Sequence, residues 1–475
     1  MRIGKAPMSQ PPWIGSYARL AQKIDVDSIG PSDPRYANAR LVYNRFHDLY
    51  PAALVRTRKA SAIAEILRFA ADNNVPLAVR GGGHHIAGFG SCDGGIVIDF
   101  SPFREVSLNP NTGLVEVEPG VRLGDLDRHL AARGLVVPTG TVSDTGIAGL
   151  TLGGGIGWLV GRNGLTCDQL VGADVVLADG SVARAEDPHH EDLLWALRGG
   201  GGNFGVVTQF RYAPSPLPQL IVGSGTIGLE GAADALERLV GFLETSCPRT
   251  LTVAPAFFRN ARAEPRLSID FCLSAAADRT LDSLMEIVGP ASWKTWRNVE
   301  YWSWQSAFDR LFLPPMRGYW KSRYSKRLSR SNIDTLVDAF ARSSVARSAI
   351  LIEHLHGAFV DTGTEASSFP LRWARFGVLL SARWRDRTQD ESAISWVRET
   401  FSRLDPNDTS AAYSNYTGAD DPRALQAFES GLARRLISVK VRYDLENVFR
   451  RNHNVKPNRR STPDARDGLV DADDD

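Results

Sequence analysis

The chain has 475 residues, with 55 basic against 54 acidic side chains and 43% hydrophobic residues. That length predicts two or three domains with sizeable cores, the composition excludes wholesale disorder, and a net charge of +1 excludes the basic excess that drives nucleic-acid or membrane-surface binding. The 4 cysteines, Cys92, Cys167, Cys247 and Cys272, are too scattered for a C-x-x-C pair and too few for a disulfide scaffold. With no secretory signal and no long apolar run, a soluble cytoplasmic protein with reduced thiols is expected.

In chain order, Ile63, Ile66, Leu67 and Ala70 mark a helix over Ala60 to Ala71 by their helical spacing. Pro76 to Val79 and Gly95 to Phe100 read as strands, and Val106 to Leu108 with Leu114 to Val117 as a hairpin around Asn109-Pro110-Asn111-Thr112-Gly113. Val121 to Arg133 reads as a helix capped by Gly134. Ala173 to Leu177 and Ser181 to Ala185 bracket Ala178-Asp179-Gly180 as a second hairpin, followed by a helix from Glu191 to Leu197. Pro214-Ser215-Pro216-Leu217-Pro218 is the strongest boundary signal. Beyond it, strands such as Ala349 to Ile352 and Phe376 to Arg383 mix with helices such as Ala232 to Leu243, so an α+β domain is predicted. The polar tail from Lys456, ending in Asp473-Asp474-Asp475, is expected to be disordered.

Glycine is concentrated, with 27 of the 43 between Gly81 and Gly205, whereas eight of the eleven tryptophans lie between Trp293 and Trp396. Arg80-Gly81-Gly82-Gly83-His84-His85-Ile86-Ala87-Gly88 directly follows a strand, and its glycines can turn successive N–H groups toward one point, a nest suited to a diphosphate. No Lys-Ser/Thr follows, so it is not a P-loop, and no helix obviously follows, which argues against a Rossmann turn. Two further clusters, Gly146 to Trp158 and Leu197 to Gly205, suggest a long extended cofactor lying against backbone.

The Arg-x-Gly-Gly-His loop, the Gly-Leu-Thr-Leu-Gly-Gly-Gly-Ile-Gly-Trp run to Trp158, the string from Arg198 to Thr208 and Arg442-Tyr443-Asp444-Leu445-Glu446-Asn447-Val448-Phe449-Arg450 together resemble the berberine-bridge-enzyme-like branch of the vanillyl-alcohol-oxidase flavoprotein superfamily, over roughly residues 33 to 455. The resemblance implies an α+β, two-domain PCMH-type FAD-binding fold with a second α+β substrate domain built on an antiparallel sheet. The implied divisions are an N-terminal extension at 1–32, the FAD-binding domain at 33–217, the substrate domain at 218–404, a C-terminal segment at 405–455 returning to the FAD domain, and the tail. It also implies an oxidase that takes electrons from an alcohol, amine or activated C–H of a sugar, phenolic or secondary metabolite, with dioxygen as acceptor and hydrogen peroxide as product. Its partners would be the small-molecule substrate and O2, and the protein a monomer or homodimer.

The same resemblance implies FAD held by a single covalent 8α link to His84, with His85 a minor alternative. FAD contacts are implied for Arg80, Gly81, Gly82, Gly83, Gly88, Thr141, Ser143, Thr145, Gly146, Gly149, Gly153, Gly154, Gly157, Asn203, Val207 and Asn452. Many relatives add a cysteinyl link where this chain has Val142, and Cys167 does not match that motif, so no second bond is expected. Thr145 occupies the position thought to gate oxygen. Tyr416, in Tyr413-Ser414-Asn415-Tyr416, is the implied general base, with Glu353 a second candidate. A tyrosine serving as base near neutral pH would need a neighbouring positive charge to lower its pKa. His354 and His356, at odd offsets from Glu353, should point to the opposite strand face, and no metal site is expected. Two other functions remain open at this level: a flavin-dependent oxygenase using a flavin-N5-oxide, and a non-catalytic flavin- or ligand-binding protein.

Overall fold

The computed structural model describes residues 11–276, 279–405, 411–427 and 431–458. The fold is α+β, with sheets of four and five strands formed early in the chain, a two-stranded ribbon pairing Leu135–Val136 with Ser215–Pro216, and one large sheet formed later. In the first sheet, Ala53–Arg56 and Leu77–Arg80 run parallel on either side of Ile96–Asp99, and Asp27–Ile29 adds an antiparallel edge. The central strand Ile96–Asp99 is buried at every residue, as expected of an apolar run covered on both faces. The helix Ala60–Asp72 covers this sheet with Ile63, Ile66 and Leu67, all fully buried. Residues before 33 are not an appendage: Tyr17 joins the same core and Asp27–Ile29 pairs in the sheet, so the expected division at 32 falls inside a packed unit.

The second sheet has the order Val106–Leu108, Val115–Val117, Val206–Tyr212, Leu170–Val176, Val182–Arg184. Both expected hairpins are present. The helix expected from Val121 begins at Leu123, because Arg122 is extended and bridges to Gly146. Chain past residue 431 packs back onto this sheet: Leu436, Val439 and Tyr443 of the helix Gly431–Tyr443 share a core with Phe204 and Phe210. A fully buried ion pair holds that return, with Lys440 Nζ donating to Asp444 Oδ2 at 2.5 Å, to the Asn203 carbonyl at 2.8 Å and to the Phe449 carbonyl at 3.0 Å. The tail expected to be disordered lies, from residue 459, outside the described residues.

The proline-rich boundary leads into a seven-stranded antiparallel sheet of order Ser292–Arg297, Ile221–Gly228, Pro265–Leu273, Leu251–Arg259, Ala349–His354, Phe376–Trp384, Arg317–Ser325. The alternation of strand side chains gives it two apolar faces. Ile350, Ile352, Val378 and Leu380 pack beneath the helices Ala232–Thr245, Arg330–Ala341 and Asp390–Arg403. Leu351, Leu379, Ala254 and Trp320 pack on the other side against Tyr43, Ile86 and Trp158 from the first part of the chain. The large sheet therefore covers the glycine-rich region like a roof. No helix among the described residues is long and apolar enough to cross a membrane.

Removing one partner of a buried ion pair strands the other charge, at a cost of about 3–5 kcal/mol. Lys440→Met is therefore expected to lower the midpoint of thermal or denaturant unfolding by that much, measured against wild type at fixed pH.

Candidate active site

A cavity of ≈ 260 Å³ opens where the two small sheets meet the roof, and it is lined by Arg80 to His85, Thr141, Val142, Thr145, Gly146, Gly149, Gly153, Gly199 to Gly202, Val207, Tyr413 to Tyr416 and Asn452. A second hollow, of ≈ 20 Å³, touches Thr141, Ile156, Glu353 and His354, and has room for about one water molecule. The root of the first glycine loop is fixed by charge. Arg80, at a strand end, bonds both oxygens of Asp99 at 2.9 Å, and Arg56 donates to Oδ2 of the same fully buried carboxylate at 2.9 Å.

The glycines around this cavity serve different ends. A side chain on Gly82 would strike the Gly146 nitrogen at 2.4 Å, and one on Gly81 the Pro119 carbonyl at 2.6 Å, so these residues let two backbones touch. Gly83, Gly199 and Gly201 have φ of +68°, +117° and +77°, where only glycine is unstrained. Gly149 has no protein atom within 4 Å of where its Cβ would be, and the space it leaves belongs to the cavity.

Five of the residues expected to contact the cofactor do not line the cavity; their side chains or Cβ positions face protein. Gly88 abuts His47, Gly154 abuts Phe369, and Gly157 abuts the Thr139 carbonyl. Ser143 gives its hydroxyl and its N–H to the Asp309 carboxylate. Asn203 is buried, donating to the Gly200 and His453 carbonyls and accepting from Val455 N–H. Cys167 is buried away from the cavity, while Val142 stands on its wall.

His84 reaches the wall with 13% of its side chain exposed. Tyr43 stacks on its ring at 4.0 Å between centroids, and the Tyr43 hydroxyl is anchored by donation to the Phe312 carbonyl. His84 Nε2 lies 3.2 Å from Asp144 Oδ2 and its Nδ1 3.4 Å from Thr145 Oγ1. Burial holds the imidazole below the usual histidine range, and Asp144 opposes that shift, so the ring is neutral near pH 7. His85 is pushed down to about 3, chiefly by burial, and its Nδ1 accepts from Ala87 N–H at 3.1 Å. It packs with Phe89 and His453.

From His84 an aromatic wall continues through Tyr43, Trp320 and Tyr416, with Phe312 against Trp320. Tyr416 donates to Glu353 Oε1 at 3.0 Å, and Tyr324 donates to Oε2 at 2.6 Å. Glu353 does not line the main cavity; Tyr416 stands between. Burial raises the Glu353 pKa to about 7 against the two tyrosine donors, and burial followed by the Glu353 charge raises Tyr416 well above the ordinary phenol range. The positive neighbour a tyrosine base would require is therefore replaced by a carboxylate, which makes the pair a relay: Tyr416 can pass its proton to Glu353 as it takes another.

His354 and His356 leave Glu353 as expected, but they gather with Cys247, their ligand atoms within 4.8 Å of one another. The two rings are stacked at 4.4 Å and 10°, so their in-plane lone pairs do not converge on one point. Arg317, Tyr319 and Lys321, on the same strand as Trp320, point away from the cavity and bond Asp390, Asp420 and Asp421. Residues that sequence reasoning missed are Tyr43, Asp144, Arg122, Phe312 and Tyr324. Asp144 adjoins the flagged Thr145, and Tyr324 shares a strand face with Trp320, which were available signals; Tyr43 had none.

Residues 51–186 match the family model described as an FAD binding domain. An FAD-linked oxidoreductase of Pyricularia oryzae is 30% identical over 417 residues, covering 82% of this chain and 81% of its own. The chain belongs to the FAD-linked oxidoreductases. Its fold is that of the berberine-bridge-enzyme-like flavoproteins: the Physcomitrella patens BBE-like 1 structure has a TM-score of 0.82 at 22% identity, covering 91% of this chain and 97% of that one. The Acremonium strictum glucooligosaccharide oxidase, whose structure is described as revealing a novel flavinylation, has 0.83 at 24%, covering 93% and 98%. This flavoprotein is thus an FAD oxidase by family, and its open glycine backbone and neutral, cavity-facing histidine fit that cofactor.

The two kinds of glycine are separable. Gly82→Ala is expected to lower stability by about 1–3 kcal/mol, because the atoms it meets are backbone. Gly149→Leu is expected to leave the unfolding midpoint near wild type while reducing the flavin-to-protein absorbance ratio of purified protein.

Proposed function

We propose that the protein oxidises a carbon–hydrogen bond beside an oxygen or nitrogen in an uncharged, ring-bearing small molecule, with dioxygen as the final acceptor and hydrogen peroxide as product. The observation that carries this is the Tyr416–Glu353 pair at the end of an aromatic wall. Bound FAD supplies the two-electron acceptor. In this reading the first two sheets and the C-terminal return form the FAD domain, and the seven-stranded sheet forms the substrate domain.

Tyr43, Phe312, Trp320 and Tyr416 offer ring faces to the substrate, while the charged side chains nearby are already engaged: Arg80 with Asp99, and Arg451 with the Ser91 carbonyl. A charged substrate would lose its hydration there without a partner. Tyr416 accepts the substrate proton as it donates its own to Glu353, so Glu353 must be ionised beforehand. His84 is the tether, joined to FAD by one covalent link, and Val142 leaves no thiol for a second. Support comes from the neutral state of His84 and from the flavinylation named for the glucooligosaccharide oxidase structure.

The expected pH dependence has a definite sign. Because burial raises Glu353 to about 7, flavin reduction should quicken as pH rises through that value. Stability behaves oppositely, since the neutral carboxyl suits its burial: this contribution is full below the ordinary carboxylate range and lost through about pH 7. Anaerobic stopped-flow reduction should show that acid limb in wild type, whereas Glu353→Gln should remove the limb and slow reduction about 10²–10⁴-fold. In the same assay, uncharged phenolic, alicyclic or sugar alcohols should bleach the flavin and their carboxylate analogues should not. Bleaching by none of these substrates would favour a non-catalytic flavin binder. With ¹⁸O₂, label in peroxide supports the oxidase, and label in the organic product indicates an oxygenase.

A further inference from the structure

His84 is held at both ring nitrogens, and the two contacts differ in kind. Asp144 Oδ2 lies 3.2 Å from Nε2, while the Thr145 hydroxyl lies 3.4 Å from Nδ1. An ionised carboxylate only accepts hydrogen bonds, whereas a hydroxyl can donate. The Asp144 carboxyl is held below the ordinary range by His84 and by Arg122, against its partial burial, so Nε2 carries the proton and Nδ1 turns its lone pair toward Thr145, which lines the cavity. Arg122 holds the backbone that carries the carboxylate. Its Nη1 donates to the Asp144 carbonyl at 2.6 Å and to the Gly82 carbonyl at 2.7 Å, and its Nε lies 3.7 Å from Asp144 Oδ1. One guanidinium thus joins the loop bearing His84 to the loop bearing Asp144.

We propose that Asp144 is the positioning residue for covalent flavin attachment: it selects the Nε2–H tautomer of His84, leaves Nδ1 as the nucleophile, and takes up the Nε2 proton as the bond forms. The proposal rests on the reading that His84 is the tether. A bond forms between His84 Nδ1 and the 8α carbon, and one C–H bond of that methyl group breaks, releasing a proton. The imidazole gives up its Nε2 proton, and the electron pair from the C–H bond reduces the flavin ring. Dioxygen then reoxidises the ring and leaves as hydrogen peroxide.

The experiment uses full-length apoprotein reconstituted with FAD, following attachment by intact mass and by flavin fluorescence in denaturing gels, with non-covalent FAD affinity measured separately. Asp144→Asn keeps the shape but can turn an amide N–H toward Nε2, favouring the wrong tautomer. It should bind FAD near wild-type affinity and attach it about 10–100-fold more slowly. Asp144→Glu should restore attachment to within about tenfold of wild type, and Asp144→Ala, which offers neither donor nor acceptor, should fall between Asn and Glu, so that the order survives if one variant fails to fold. The acid limb of the attachment rate is set by the groups facing His84, namely Asp144, Arg122 and Asp309, and should move to lower pH in Asp144→Asn, because the carboxylate that favours the protonated ring is gone. Attachment at the wild-type rate in Asp144→Asn, or no advantage of Glu over Asn, overturns the proposal while leaving the tether intact. Covalent flavin in His84→Ala overturns the tether itself.

Discussion

Two loops from different sheets meet backbone to backbone at Gly82 and Gly146, so closely that a single added carbon on either would sit 2.3–2.4 Å from the other's nitrogen. Arg122, extended just ahead of its helix and bridged to Gly146, donates to both loops. His84, Asp144 and Thr145 all stand within a few residues of that junction. Protein interiors transmit small displacements because they are close-packed, so separating these loops would move the histidine, its carboxylate and the cavity wall together.

The opposite wall depends on strand alternation in the large sheet. In Ala349–His354, Leu351 and Glu353 face the site while Ile350 and Ile352 face the covering helices. Paired with it across Phe376–Trp384, the strand Arg317–Ser325 sends Trp320 and Tyr324 inward and Arg317, Tyr319 and Lys321 outward. A one-residue slip in register would exchange these sets. The same alternation separates the Glu353 carboxylate from the His354–His356 stack, although the two are neighbours in sequence. Glu353 is therefore buried, which raises its pKa to about 7, while the hydrogen bonds from Tyr324 and Tyr416 oppose that rise.

Much of the fold could be read locally. The helix Ala60–Asp72, both hairpins and the strands at 349 and 376 follow from side-chain periodicity and turn residues. The glycine clusters gather around the cavity but are small for different reasons: Gly81, Gly82 and Gly146 because backbones touch, Gly154 and Gly157 because protein packs on them, and Gly149 because its side-chain space belongs to the cavity. Such distinctions depend on what lies across the gap, which no local pattern contains. Tyr43 meets His84 and Phe312 from positions 41 and 269 residues away in sequence, and the Glu353–Tyr324 bond likewise joins separate strands. Asp27–Ile29 is not legible as a strand because a three-residue edge strand carries almost no periodic signal.

The central claim, that one histidine at the loop junction tethers the flavin and no cysteine assists it, is tested most directly by peptide mapping. Purified protein is denatured, digested with trypsin, and its flavin-bearing fragments are sequenced by tandem mass spectrometry. The account predicts a single flavopeptide spanning Gly81 to Arg104 with the flavin mass on His84. Flavin on a peptide containing Cys167 or on His85, or flavin wholly released on denaturation, would contradict it.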